Sequence, residues 1–461
     1  MASSSRRLGR GGGSVIGGRA TIAIDPDALR HLAAGHASCL VSGTNGKTTT
    51  TSLLRTALAT AGPVVTNLLG ANLPPGLVAA LATGEPGAVA ALEVDEAWLG
   101  RVIEATDPAA VVLLNLSRDQ LDRNNEVRTL ATVWRRALAG RPRTTVIANA
   151  DDPLVAWGAG TAERVVWVGA GQPWTADASG CPACGGRITF LWTLTRLQPG
   201  KVSKEAAEAG RCEGETPAAD DAAGVPAADD DSAGAPAAGD SAAGAQGGPS
   251  RDVPSAGGWT CSSCNFTRPD LDVWLDGDTA VMGGERIALD LTLPGRANRA
   301  NATMALAATS VLGADVRRAA AAMAATDEVV GRYRTVTVGG IKARMLLAKN
   351  PAGWLEVLDV VRPAPQPVVV VINARIADGR DPSWLWDVPF ERLAGRLVVA
   401  SGERGRDMAV RLHYAEVDER YVADPVEAVE VAAAAARRVG TDTIDVVANY
   451  TSFQSLRARL P

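Results

Sequence analysis

Three groups of residues in this sequence have the types and spacing to do chemistry. The first is Gly43-Thr44-Asn45-Gly46-Lys47-Thr48-Thr49, set between the apolar run ASCLV and a Thr-rich stretch that reads as a helix starting near Thr48. Glycines at 43 and 46 let the backbone turn its N–H groups onto phosphate oxygens, and a helix N-terminus adds partial positive charge. In that setting Lys47 is placed to reach the β and γ phosphates of ATP, and the Thr48 hydroxyl to reach Mg²⁺. The loop is shorter than the usual eight-residue form, whose first glycine would fall at 41, where Val stands. The second group is ALEVDEAWL at 91–99, an apolar strand ending in acid. Glu93, Asp95 or Glu96 emerges where parallel sheets place their ligands, and Mg²⁺ wants one or two carboxylates besides phosphate oxygens; Glu93 is the first choice. The third is a pair of C-x-x-C knuckles, Cys181/Cys184 and Cys261/Cys264. Four thiolates of this kind close a structural Zn²⁺ site, although the connection far exceeds the usual 15–20 or so residues.

The elements around these groups alternate short Val/Leu/Ile runs with longer helical stretches, the pattern of a parallel sheet wrapped by helices. ASCLV, AVAALEV, AVVLLN and TTVIAN read as strands. Residues 200–257 are Ala, Gly, Asp, Pro and Glu with few large apolar side chains, so they cannot offset the entropy of ordering and read as a disordered acidic insertion. Without that insertion the two knuckles lie at ribbon spacing, with ITFLWTL and GGWT as flanking strands, on a finger over 175–275. A new alternating series begins near 331 with TVTVGG, ARMLLA and PVVVVINA, marking a second α/β domain over 331–461. At 461 residues and 46% apolar content the chain has material for more than one core. A net charge of −5 gives no basic footprint for nucleic acid, and no apolar run reaches the ~18 residues of a membrane span. The start, within a 1–37 segment expected to be partly disordered, has arginines but no apolar stretch behind them, so a cytoplasmic protein is expected. Cys39 and Cys212, and the three histidines His31, His36 and His413, show no partner spacing and read as structural or incidental.

The Gly-Thr-Asn-Gly-Lys-Thr form resembles the phosphate loop of the Mur ligases and folylpolyglutamate synthetases. The resemblance to the Mur ligase superfamily extends through TNLLGANLP (66–74), LNLSRDQLDR (114–123), IANADDP (147–153) and LPGRANRAN (293–301), in the family's order. It implies a central ATPase domain over 38–330, carrying the zinc-ribbon insertion, and a C-terminal Rossmann-like α/β domain. It also implies that Asn298 and Asn301 contact adenine and that Arg332 contacts phosphate at the domain junction. Gln120 stands where the family usually has a second-metal His, which weakens any claim for a second Mg²⁺.

Mur ligases acting on UDP-linked precursors carry a whole domain ahead of the loop; residues 1–42, rich in Gly, Ser and Arg, do not suffice for one. LLAKNPAGW (346–354) replaces the Asp-Tyr-Ala-His segment of amino-acid-adding relatives. NARIADGRDPSWLWDVPFE, SGERGRDMAVRLHYAEV and NYTSFQSLRARL resemble the MurT family. That resemblance implies an enzyme that uses ATP to activate the α-carboxylate of D-glutamate in the lipid II stem peptide at the inner face of the plasma membrane. Ammonia would come from a GatD-type glutamine amidotransferase partner, giving D-isoglutamine. It further implies that an aspartate of this chain completes the partner's Cys-His dyad: Asp387 in SWLWD, with Asp378 and Asp381 as alternatives. Trp384 and Trp386 are then interface anchors, or equally core tryptophans. Two other readings stay open: a Mur-like ligase adding an amino acid to a soluble acceptor, and a nucleotide-dependent scaffold.

Overall fold

The computed structural model describes residues 15–67, 71–118, 127–191, 258–326 and 332–460. Gln120 and the 200–257 insertion, Cys212 with it, lie outside the described residues.

Short apolar runs form the first sheet. Ser38–Ser42 (β1), Val64–Val65 (β2), Val89–Glu93 (β3), Ala110–Leu113 (β4), Thr145–Asn149 (β5) and Val165–Gly169 (β6) pair in parallel in the order β6-β5-β4-β1-β3-β2. Strands buried on both faces need side chains that are apolar in both directions, which is why the runs are continuous rather than alternating. In β1, Cys39 and Val41 join one core with Leu53, Leu54 and Ala57 of the Lys47–Leu58 helix, while Leu40 points into the opposite core with Leu77 and Val102. Each leucine so buried is worth roughly 1.5–3 kcal/mol of transfer free energy.

Ile188–Leu191 (β7) and Gly258–Cys261 (β8) make a separate antiparallel pair, in register Ile188↔Cys261. Val273–Asp276 (β9) then joins the edge of the main sheet beside β6, and Thr279–Met282 (β10) and Glu285–Ala288 (β11) continue it as a meander, giving nine strands. This meander is absent from the reading of alternating runs, although its turns are marked by Asp276-Gly277 and Gly283-Gly284, whose glycines take positive φ of 59°, 56° and 82°. It also places residues 273–275, the end of the expected finger, in the nine-stranded sheet.

The second sheet comprises Tyr333–Val338 (β12), Ile341–Leu347 (β13), Val368–Val371 (β14), Leu397–Ser401 (β15), Asp418–Tyr421 (β16) and Thr443–Ala448 (β17). Its order is β12-β13-β17-β14-β15-β16, parallel except for the β12–β13 hairpin. Here too successive residues serve opposite cores: Val368 and Val370 on one face, Val369 and Val371 on the other.

Between residues 15 and 37, where the sequence suggests a partly disordered start, stand two helices, Ile16–Ile24 and Ala28–Ala33. The first packs so closely on the Pro74–Leu81 helix that a Cβ at Gly18 would lie 1.7 Å from the Pro75 carbonyl oxygen. Among the described residues no helix is long and apolar enough to cross a membrane.

Candidate functional site

The chain leaves β1 through two glycines of positive φ, Gly43 at 143° and Gly46 at 85°. A Cβ at Gly43 would lie 2.9 Å from Leu114 Cβ and 3.0 Å from the Asn115 backbone; at Gly46 it would lie 2.5 Å from Asn301 Oδ1. Conformation and space therefore both demand glycine. The segment after β4 braces the loop. Thr44 N–H donates to the Asn115 carbonyl (2.9 Å), and Thr44 Oγ1 donates to the Ser117 carbonyl (3.1 Å) while accepting from Ser117 N–H (3.0 Å). Asn45 N–H donates to Asn115 Oδ1 (2.9 Å), and Asn115 Nδ2 answers to the Asn45 carbonyl (3.0 Å). The Lys47–Leu58 helix starts with no side-chain cap, whereas Asp152, Asp315, Asn350 and Asp424 each cap the helix they precede. Its first N–H groups retain their capacity for an anion, and the helix dipole adds attraction.

Lys47 Nζ lies inside this cradle. It donates to the Gly43 and Thr44 carbonyls and to Glu96 Oε2, the last at 2.9 Å, with the two side chains only 6% and 12% exposed. Glu93 ends β3 in register with Val41 of β1, at the edge of the loop. Asn67 pins its backbone by accepting from Glu93 N–H (2.8 Å) and donating to the Glu93 carbonyl (2.7 Å), and Asn72 Nδ2 donates to Glu93 Oε1 (3.3 Å). Asp95 Oδ1 accepts from Ala97 N–H in the next turn.

A cleft of about 730 Å³ opens beside the loop, lined in part by Asn45, Asn149, Trp174, Arg296, Asn301 and Glu356. A second lobe, about 830 Å³, carries Gly46, Thr49, Asn298 and Arg332 and shares Asn45, Asn301 and Glu356 with the first. Asn298 Nδ2 donates to the Pro294 carbonyl (2.6 Å), which ties it to its own helix start. From the second sheet's side, Arg332 Nη2 donates to Thr48 Oγ1 (3.2 Å) and Asn350 Nδ2 to Asn45 Oδ1 (3.2 Å). Removal from water pushes the half-buried Glu356 carboxyl up to about 7, against the pull of Arg296 and Arg332 and with the push of Asp359.

The two cysteine knuckles meet. Their four Sγ atoms all lie within 4.8 Å of one another, with Cys181–Cys264 at 3.8 Å and Cys184–Cys261 at 3.5 Å. Zn–S bonds of about 2.3 Å in a tetrahedron put sulfurs about 3.8 Å apart, so the set fits a structural zinc. Gly186 N–H points at Cys184 Sγ (3.4 Å) and Ser263 N–H at Cys261 Sγ (3.3 Å), and the Ser263 contact lowers the Cys261 thiol toward thiolate. The hairpin is anchored to the main domain by Trp259, whose Nε1 donates to the Ala150 carbonyl (3.0 Å), and by the Arg268–Asp151 ion pair (2.8 Å). Cys39 is fully buried in β1, and burial pushes its thiol up to about 12. It is an inert core residue.

Residues 41–179 match the Mur ligase middle domain family, and residues 347–453 match the MurT ligase C-terminal family. The lipid II isoglutaminyl synthase (glutamine-hydrolyzing) subunit MurT of Streptococcus pneumoniae is 28% identical over 88% of this chain and 83% of its own length. The subunit of the same description from Staphylococcus aureus is 24% identical over 99% of this chain and 94% of its own length. The chain is a MurT-like member of the Mur ligase superfamily. The fold agrees. A pseudomurein peptide ligase type C from Methanothermus fervidus superposes with a TM-score of 0.60 over 92% of this chain and 78% of the other, at 17% identity. MurF from Acinetobacter baumannii does so with 0.58 over 94% and 77%, at 12% identity. The curated relatives and the matched middle domain make it an ATP-dependent ligase, and the family uses ATP and Mg²⁺.

In this Mur ligase the MurT-type segments converge at the carboxyl ends of β14, β15 and β17, where doubly wound sheets build their sites. Asn373 and Asn449 exchange hydrogen bonds, Asn373 Oδ1 accepts from Glu403 N–H, and Asn373 Nδ2 donates to Thr451 Oγ1. The three aspartates proposed from sequence differ in what they already hold. Asp378 is buried and accepts from Thr451 N–H (2.8 Å), Thr451 Oγ1 and Arg375 N–H. Asp381 caps Ser383 N–H (2.9 Å). Asp387 ends the Ser383–Asp387 3₁₀ turn, exposed, its carboxylate without a hydrogen bond or ion pair among the described residues. Arg411 holds that turn from behind, donating to the Leu385 and Val388 carbonyls and to Glu391. Trp384 is buried, whereas Trp386 is 55% exposed and meets Tyr414 edge to face at 5.6 Å. Only Trp386 is therefore placed to act as an anchor.

Of the residues singled out in the sequence, the structure brings together the loop residues, Thr48 with Arg332, and the four cysteines. Three contacts have no motif in the sequence: the Lys47–Glu96 pair, the Asn45–Asn350 bridge and Glu356 in the cleft. Each joins residues far apart in sequence, and a single chain carries no spacing signal for such pairs.

Proposed function

We propose that this chain is the synthetase subunit of a glutamine-dependent amidotransferase that amidates the α-carboxylate of D-glutamate in the lipid II stem peptide. The observation that carries the reading is the exposed Asp387 carboxylate on the domain matching the MurT ligase C-terminal family, in a chain whose own nucleotide loop supplies the synthetase half. The relatives' description as a glutamine-hydrolyzing synthase's subunit points to a second chain.

Lys47 and the N–H groups of residues 46–49 hold the ATP phosphates, Arg332 steadies the γ phosphate, and Asn298 and Asn301 meet the adenine. Thr48 and Glu93 hold Mg²⁺, which screens phosphate charge when bound. A glutamate carboxylate oxygen attacks the γ phosphorus and ADP leaves, giving an acyl phosphate. Ammonia then adds to the acyl carbon, phosphate departs and a proton is lost, leaving the carboxamide of D-isoglutamine. Asp387 accepts from the imidazole of a GatD-type partner's Cys-His pair and fixes its tautomer, so that glutamine hydrolysis proceeds only in the complex. Cys181, Cys184, Cys261 and Cys264 hold one structural Zn²⁺.

The test is amidation of lipid II with MgATP in three arms: this chain with glutamine, this chain with glutamine and a GatD-type partner, and this chain with ammonium chloride. Product in the last two arms and none in the first is expected. Product with a free amino acid in place of ammonia, and none with ammonia, would instead make this an amino-acid ligase.

A further inference from the structure

Glu96, an alternative to Glu93 in the sequence, sets its carboxylate against the nucleotide loop. Its Oε2 lies 2.9 Å from Lys47 Nζ, and the same ammonium donates to the Gly43 and Thr44 carbonyls. Both side chains are nearly buried. The Glu96 backbone is fixed as well, since Trp134 Nε1 donates to its carbonyl (3.0 Å) and Trp134 is fully buried. Glu96 therefore holds a fixed position while its carboxylate lies against the one loop cation meant for phosphate.

Two anions cannot both take the full charge of one buried ammonium. A phosphate oxygen that approaches Lys47 must displace the carboxylate or sit beside it at the cost of like-charge repulsion in a poorly solvated site. We propose that Glu96 is a positioning residue that stands in for phosphate on Lys47 and competes with the nucleotide, so that it lowers ATP affinity while keeping the lysine charged, ordered and aimed into the cradle. This rests on the nucleotide assignment of the loop. In the empty site the carboxylate compensates a buried charge that would otherwise be costly; in the filled site the phosphates take over that task and Glu96 is released toward the cleft.

The experiment is equilibrium binding of ATP to the full-length chain in EDTA, so that metal ligation by Glu96 plays no part. Glu96→Gln keeps the shape and removes the charge, and Glu96→Asp keeps the charge but withdraws it from Nζ by one carbon. Glu96→Gln is expected to bind ATP about tenfold tighter than wild type, with Glu96→Asp between the two. A role confined to folding could only weaken binding, so a gain separates the two explanations. Unchanged or weaker binding by both variants, with wild type still binding ATP, would overturn the inference alone. A wild-type chain that binds no ATP would overturn the loop's assignment and this inference with it.

Discussion

The nucleotide loop and the Ser383–Asp387 turn are both motif-bearing, yet they are finished to different degrees. At the loop the polar side chains already have internal partners, leaving the helix's first N–H groups for an anion: Thr44 and Asn45 are clasped by Asn115 and Ser117, Lys47 by Glu96, and Thr48 by Arg332. At the turn, Arg411 secures the backbone from inside, while Trp386 and Asp387 face outward. A site that binds a small anion is preorganised by its own chain, because each displaced dipole would cost catalytic stabilisation. A site that works only with a second protein leaves its anchor and its charge uncovered until that protein arrives. The difference teaches which carboxylate to choose: Asp378 resembles the loop in being fully engaged, and Asp387 does not.

The comparison breaks most easily at the loop. Lys47→Ala should lower ATP-dependent turnover by about a thousandfold with ammonia or glutamine as donor, measured as ADP release, because it removes the charge that meets the transferred phosphoryl group. Retained turnover would remove the loop from the mechanism. At the cysteine cluster, protein purified without chelator should carry about one zinc per chain by elemental analysis, and Cys184→Ser should lose it. No bound zinc in carefully handled wild type would show the four thiols to be metal-free. The smallest effect belongs to Trp386. Trp386→Ala should weaken the complex with a GatD-type partner by roughly tenfold in a binding titration while leaving ammonia-driven turnover intact. Equal losses in both would mark Trp386 as a folding residue.

Much of the fold is legible in the sequence where one face or two faces of a strand must be apolar. β1, β3, β4 and β5 follow from their runs, and the β7–β8 hairpin follows from the spacing of the cysteines once the acidic insertion is set aside. The β9–β11 meander escapes because its strands have four residues each and mixed polarity, as in Glu285–Ala288, so the Gly283-Gly284 turn is a stronger signal than the strands. Of the site, the loop is readable because phosphate binding forces glycine, lysine and threonine into adjacent positions. Glu96 is not, since its partner lies 49 positions away and ALEVDEAWL offers three carboxylates with no way to rank them by contact. The same limit holds for Asp378, Asp381 and Asp387, which only burial and hydrogen bonding tell apart.

In the proposed function nucleotide chemistry resides in this chain, while glutamine chemistry is completed by the exposed Asp387 carboxylate. Asp387→Asn should be assayed with its partner, once with glutamine and once with ammonium chloride, following amidated lipid II. The account predicts a glutamine-driven rate down by about a hundredfold or more, from a wrongly oriented imidazole, with the ammonia-driven rate unchanged. Glutamine-driven activity at the wild-type level, or a parallel fall in both rates, would contradict it.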